Sequence, residues 1–168
     1  MSPTSPHRGA IYDLPSAAIS FRDGVPYADA FADGYYGGAD GLAEARHVFL
    51  DGNDLAARCA ASGHLTIAET GFGTGLNCLA VMALLDDHPG MQLDYVSVEQ
   101  CPLTDDQMRA SHDAFPELGQ HAAALRRALP PRWPGYHLVP LCHGRLTLHL
   151  HYGEVGAILP QLNIAADA

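Results

Sequence analysis

Apolar residues recur along this chain in two rhythms, and the switch from one to the other places its elements. Leu65, Ile67 and Ala68 form a short apolar run closed by Glu69 and Thr70. Gly71, Gly73 and Gly75 then alternate. Leu76, Leu79, Ala80, Ala83 and Leu84 follow at i, i+3, i+4, i+7 and i+8, the stripe of a helix lying on a sheet. The order is a buried strand, a sharp turn and a helix N-terminus. Asp86 to Gly90 ends the helix, because Pro89 cannot continue it. A second strand is predicted over 93–99, apolar on both faces as in a parallel sheet covered by helices. Thr104 and Gln107 form a capping box that opens a helix through about residue 114. Pro116 begins another helix that buries Leu118, Ala122, Leu125 and Leu129. Residues 137–142 and 146–152 read as two strands across His143-Gly144, and 155–162 as a short helix.

The N-terminal third has weaker rhythm. Asp23-Gly24 suits the turn of a small hairpin. Residues 33–40, DGYYGGAD, with two adjacent tyrosines, read as a plain surface turn ahead of the alternative, a loop that covers a site. Residues 42–49 predict a helical turn running into a short strand, and 54–62 a short helix closed by Gly63. The resulting division is a flexible stretch over 1–10, an elaboration over 11–63, and a ligand-binding core over 64–168.

Composition adds exclusions. The 168 residues suffice for one domain with a proper core. The net charge is −10 and every positive residue is Arg, which argues against a general nucleic-acid binder. Arg126, Arg127 and Arg132 form the one dense basic cluster. Cys59, Cys78, Cys101 and Cys142 are too widely spaced for a zinc signature, and no metal site is expected. No run is long enough to span a membrane and no leader peptide is visible, so a cytoplasmic protein with reduced cysteines is the expectation.

Strand, glycine loop, helix, strand and acid is the logic of a nucleoside-ligand site in a doubly wound α/β fold. The spacing is G-x-G-x-G, which suits a ligand lacking a pyrophosphate. S-adenosylmethionine fits, with its cationic amino and sulfonium groups, its carboxylate and its ribose diol. Glu69 would hold the amino group directly or through water, Gly71 to Gly75 would pack on the methionine part, and Glu99 would take the ribose. Glu154, after the strand 146–152, would reach the adenine or stand as a surface acid. His149 and His151 share a strand face and read better as a polar sheet face than as metal ligands.

Several stretches resemble the MnmC-like methyltransferase family: GLAEARHVFLDGNDL (41–55), IAETGFGTGLN (67–77), SVEQCPLT (97–104), FPEL (115–118) and GRLTLHLHYGE (144–154). The resemblance implies a class I, S-adenosylmethionine-dependent, Rossmann-like α/β three-layer sandwich. It also implies methylation of the aminomethyl nitrogen of 5-aminomethyl-2-thiouridine at the tRNA wobble position. It carries Glu69, Gly71, Phe72, Gly73, Gly75 and Asn77 onto the cofactor loop and Glu99 onto the ribose. Glu154 stands where the family commonly has Asp near the adenine. FAD belongs to an oxidase domain fused in bifunctional members, and no such domain is present in this chain.

The family pattern continues into a further apolar strand and an acidic D-G-F motif beyond the position where this chain stops. The expectation is therefore a sheet incomplete in its C-terminal half, with an exposed edge along 65–69 that invites association. No catalytic residue is assigned. The competing expectations are an NAD- or FAD-linked oxidoreductase and an inactive, truncated binding module.

Overall fold

In a computed structural model, residues 14–168 are described, apart from 23, 31, 38 and 39. The expected flexible stretch over 1–10 lies outside the described residues. A hairpin comes first: β1 (Ile19–Arg22) pairs antiparallel with β2 (Val25–Ala28), and β3 (Asp33–Gly34) adds to β2. Arg22 pairs with Val25, so the connection has two residues, with Gly24 at φ 82°. Residues 42–49 contain no strand. A short helix, α1 (Gly41–Glu44), runs straight into a π-helical turn over Ala45–Asp51. Helix α2 (Leu55–Ala61) follows. The apolar residues of 42–50 do not alternate as a strand's would. Leu42 and Ala45 are buried three apart, and Val48 on the next turn is left exposed.

The main sheet has the order β4–β5–β7–β6. Strands β4 (His64–Thr70), β5 (Gln92–Glu99) and β7 (Leu146–Tyr152) run parallel, and β6 (Gly135–Leu141) closes the edge antiparallel to β7. One sheet face presents Leu65, Ile67, Leu93, Tyr95, Leu146, Leu148 and Leu150 to a single hydrophobic core. Helix α3 (Leu76–Asp86) and helix α5 (Gly119–Ala128) complete that core. The predicted stripe on α3 is only partly right. Ala83 and Leu84 are half-buried, whereas Cys78, Val81, Met82 and Leu85 are fully enclosed. The helix is held between the sheet, the π-helical turn and α5, so burial runs nearly all round it and a one-sided reading picks the wrong stripe.

Helix α4 (Asp105–His112) starts on the predicted capping box: Thr104 Oγ1 accepts the Gln107 N–H, and Gln107 Oε1 accepts the Thr104 N–H. Gln107 also donates to the Ala17 carbonyl, tying the N-terminal third to α4. A 3-10 turn at Pro116–Leu118 leads into α5. Among the described residues no helix is long and apolar enough to cross a membrane.

The opposite sheet face carries Val96 and Val98, both buried, beside a polar row. Asp94 accepts from His64 and His149 at 3.0 Å each, and the Tyr136 hydroxyl meets His149 Nδ1 at 2.7 Å. Among the described residues no group of three or more His, Cys, Asp and Glu could hold a metal ion. The expected bare edge along β4 is partly taken. Asp167 N–H donates to the Thr66 carbonyl, the Asp167 carboxylate accepts the Thr66 N–H, and the Ala68 N–H donates to Ala168. Residues 167–168 thus satisfy the β4 amides that an unpaired edge would leave open.

Candidate functional site

Strand β4 delivers the glycine loop to the carboxyl edge of the sheet. Its first residue stays in register: the Gly71 N–H donates to the Val98 carbonyl of β5 at 2.8 Å. Gly73 and Gly75 hold φ at +56° and +72°, the left-handed region that disfavours side chains. Side chains there would also crowd their neighbours, which would have to give by a few tenths of an ångström. A Cβ at Gly73 would meet the Tyr35 ring at 3.0 Å, and one at Gly75 would meet Phe72 and Leu125 at 3.0 Å. At Gly71 a Cβ would meet nothing within 4 Å, because that residue opens onto free space. Gly75 caps α3 without any side-chain hydrogen bond, so the first amides of an 11-residue helix lack a side-chain acceptor.

Glu99 ends β5 and reaches back to the loop. Its Oε2 accepts the Gly73 N–H at 2.8 Å and its Oε1 the Cys101 N–H at 2.7 Å. Each carboxylate oxygen keeps a lone pair for a ligand hydroxyl. The cleft in front of it, about 580 Å³, is lined by Thr70, Gly71, Gly73, Cys101, Tyr35 and Val155 among others. A second cleft of about 260 Å³ lies across the loop against Phe72, Leu76, Asn77, Glu44 and Phe49. Both are of a shape and polarity that suit small polar ligands, and the larger has the volume of a typical ligand cleft.

Glu69 lines neither cleft. Its carboxylate sits beneath the loop, accepting from Asn77 Nδ2 at 3.2 Å and Ser97 Oγ at 3.0 Å. The buried Tyr95 hydroxyl lies beside it without a well-formed hydrogen bond. Burial pushes the Glu69 carboxyl up to about 7, against the lowering effect of its donors, with the Glu99 charge adding to the rise. Between about 4.5, its ordinary value, and about 7, the folded chain holds a proton that the unfolded chain has lost. The stability from this group is therefore full below about 4.5, falls as pH rises to about 7, and is flat above. The ionised carboxylate then costs roughly 3 kcal/mol. Glu69→Gln, measured by urea unfolding, should be more stable than the parent at about pH 8 and lose that advantage near pH 5. An advantage independent of pH would contradict this.

Of the eight residues singled out from sequence, the structure gathers Glu69, Gly71, Phe72, Gly73, Gly75, Asn77 and Glu99 around one loop. Glu154 stands apart. Its carboxylate caps α6 (Val155–Ile158), accepting the Gly156 and Ala157 N–H groups at 2.9 and 2.8 Å, and it faces a separate cleft beside Tyr136. An Asp at this N-cap position could accept the same two amides, so the cap does not depend on the longer side chain.

Tyr35 and Tyr36 were not singled out, and the plain-turn reading of 33–40 does not hold for them. Tyr35 lines both clefts, and burial, helped by Glu99 and Cys101, pushes its phenol up to about 12. Tyr36 packs edge-on against Phe115, ring centroids 5.3 Å apart, and lies over Gly41. The signal was two adjacent aromatics in a glycine-rich stretch, but their partners, Gly73 for Tyr35 and Phe115 for Tyr36, lie far along the sequence.

No protein-family model matches the chain. It is 40% identical over 154 residues to the tRNA 5-methylaminomethyl-2-thiouridine biosynthesis bifunctional protein MnmC of Thiobacillus denitrificans, covering 90% of this chain and 25% of that protein. It is 41% identical over 157 residues to the protein of that name from Chromobacterium violaceum, covering 90% and 24%. For the Ralstonia nicotianae protein the values are 43% over 148 residues, 87% and 22%. The chain thus spans about a quarter of the length of these relatives. Among solved structures it resembles MNMC2 from Aquifex aeolicus with a TM-score of 0.61 and 18% identity, covering 90% of this chain and 48% of that one. That likeness shows the fold: a Rossmann-like α/β domain with a central sheet and flanking helices. On these likenesses, which extend over most of its length, the chain belongs to the MnmC-like methyltransferase family.

Proposed function

We propose that residues 64–168 form the cofactor-binding half of an S-adenosylmethionine-dependent methyltransferase acting in tRNA modification, with 11–63 as an elaboration that covers the loop. The observation that carries this reading is Glu99, a carboxylate pre-oriented by the Gly73 and Cys101 amides at the floor of the larger cleft. Its free lone pairs match the two hydroxyls of a ribose. The donors fit the rest of the ligand. The uncapped first turn of α3 suits a carboxylate, and the open side of Gly71 admits the ligand chain close to backbone. Glu69 acts through Asn77, holding that amide in place, rather than by meeting the ligand itself.

Bound S-adenosylmethionine supplies an electrophilic methyl group. What these residues do is bind, orient and partly enclose it, so that a neutral nitrogen can approach in line. The relatives are named for 5-methylaminomethyl-2-thiouridine biosynthesis in tRNA; the acceptor we infer is the amino nitrogen of 5-aminomethyl-2-thiouridine, at the wobble position that the family resemblance implies. The −10 charge predicts that this chain alone holds tRNA weakly.

Calorimetry with S-adenosylhomocysteine and with NAD tests the reading. Micromolar binding of the first and none of the second is expected. Preference for NAD, or no binding of either by folded protein, would overturn it.

A further inference from the structure

His112 is nearly sealed from solvent, at 4% exposure, and it lines neither of the two clefts. It is the last residue of α4, yet its ring reaches the glycine loop. Its Nε2 lies 2.7 Å from the Thr74 carbonyl, and its Nδ1 lies 3.0 Å from Arg126 Nη1 on α5. Thr74 is itself buried, between the two left-handed glycines Gly73 and Gly75. Other ties on this loop come from the sheet or from the loop: Gly71 to Val98, Gly73 to Glu99, Gly75 to Phe72. Helix α3 holds the far end of the loop, with the Leu79 N–H on the Gly75 carbonyl at 2.9 Å, and His112 ties its middle to the second pair of helices, α4 and α5.

The chemistry of the two partners fixes the state of the ring. A guanidinium can only donate, so Nδ1 must present a lone pair to Arg126. A carbonyl can only accept, so the single ring proton must sit on Nε2. A second proton would land on Nδ1 and face the guanidinium, so the doubly protonated ring cannot keep both contacts. We propose that His112 is a positioning residue: as a neutral Nε2–H imidazole it holds the Thr74 carbonyl, and through it sets the loop amides that face the ligand.

The charged groups that bear on the ring are Arg126 from α5, and Asp105 and Asp113 from its own helix and the residue after it. The loop offers only the Thr74 carbonyl. Burial, together with Arg126, lowers the His112 pKa below its ordinary value, and the carbonyl bond and the two aspartates oppose that shift. The ring is thus kept neutral through the neutral pH range. On acidification Nδ1 gains a proton that faces the Arg126 guanidinium; Nε2–H can still donate to Thr74, so it is the repulsion from Arg126 that displaces the ring and loosens its hold on the loop.

The inference rests on the cofactor-site reading only for its effect on affinity. Its test has a ligand-free part for that reason. In the full chain, amide exchange protection at 73–76 is measured against pH for the parent, His112→Gln and His112→Phe. Affinity for S-adenosylhomocysteine is measured on the same proteins, and long-range proton–nitrogen spectra of the parent report the tautomer. Gln offers a donor and an acceptor but cannot take a proton; Phe fills the space with neither.

The parent should show the Nε2–H tautomer and lose loop protection at acid pH, relative to the amides of β7. Gln should keep protection with a flatter acid limb. Phe should lose protection at every pH and bind about five- to tenfold more weakly, the effect of one neutral hydrogen bond. Glu69 adds its own pH dependence, which is the same in the parent and in Gln, so the difference between them isolates His112. An Nδ1–H tautomer, a Gln variant with the parent's acid limb, or a Phe variant with parental protection would overturn the proposal. If Phe does not fold, the tautomer and the Gln variant decide. If nothing binds S-adenosylhomocysteine but protection follows the expected pattern, the cofactor reading fails and the positioning role stands.

Discussion

Glu99→Ala should weaken S-adenosylhomocysteine binding by about a hundredfold or more, read by calorimetry on folded protein. Two losses combine. The ligand loses a charged acceptor for its ribose, worth about 1.5–3 kcal/mol for a hydrogen bond to an ionised group. The Gly73 and Cys101 amides also lose their shared acceptor, so the loop and the start of the following connection are no longer held at one fixed separation. Ala adds no group that restores either contact. Glu99→Gln separates the two losses, because its amide oxygen can keep one backbone tie while the charge is gone. An Ala variant with parental affinity would show that the ribose, and with it the cofactor, sits elsewhere.

Gly75→Val should destabilise the fold by roughly 2–5 kcal/mol, combining left-handed strain with overpacking. The residue holds φ at +72°, where a β-branched side chain is strongly disfavoured. Its Cβ would stand 3.0 Å from Leu125 and from the Phe72 ring, both buried. Leu125 and Phe72 must shift to make room, in a core that also encloses Leu79 and Leu85. Urea unfolding followed by circular dichroism measures the effect. An unchanged midpoint would mean the loop can re-form without that glycine.

Features set by near neighbours were legible in the sequence. The capping box at Thr104 and Gln107 needs only three residues, and it formed as read. Strands 64–70 and 92–99 and the loop between them follow from an apolar run meeting alternating glycines. What was not legible depended on distant partners. Tyr35 and Tyr36 matter because of Gly73 and Phe115. His112 matters because of Thr74 and Arg126. A helix buried nearly all round, as α3 is, has no single face for periodicity to find. Glu154 was left between the adenine and a surface acid, and its hydrogen bonds go to its own helix, two and three residues on.

Tyr35 lines both clefts, with its ring against Gly73. One aromatic side chain is thus a partition between two chambers. A ligand with a nucleoside at one end and an amino acid at the other, laid across both clefts as proposed, would lie along this ring, whereas one confined to the larger cleft would touch only one of its sides.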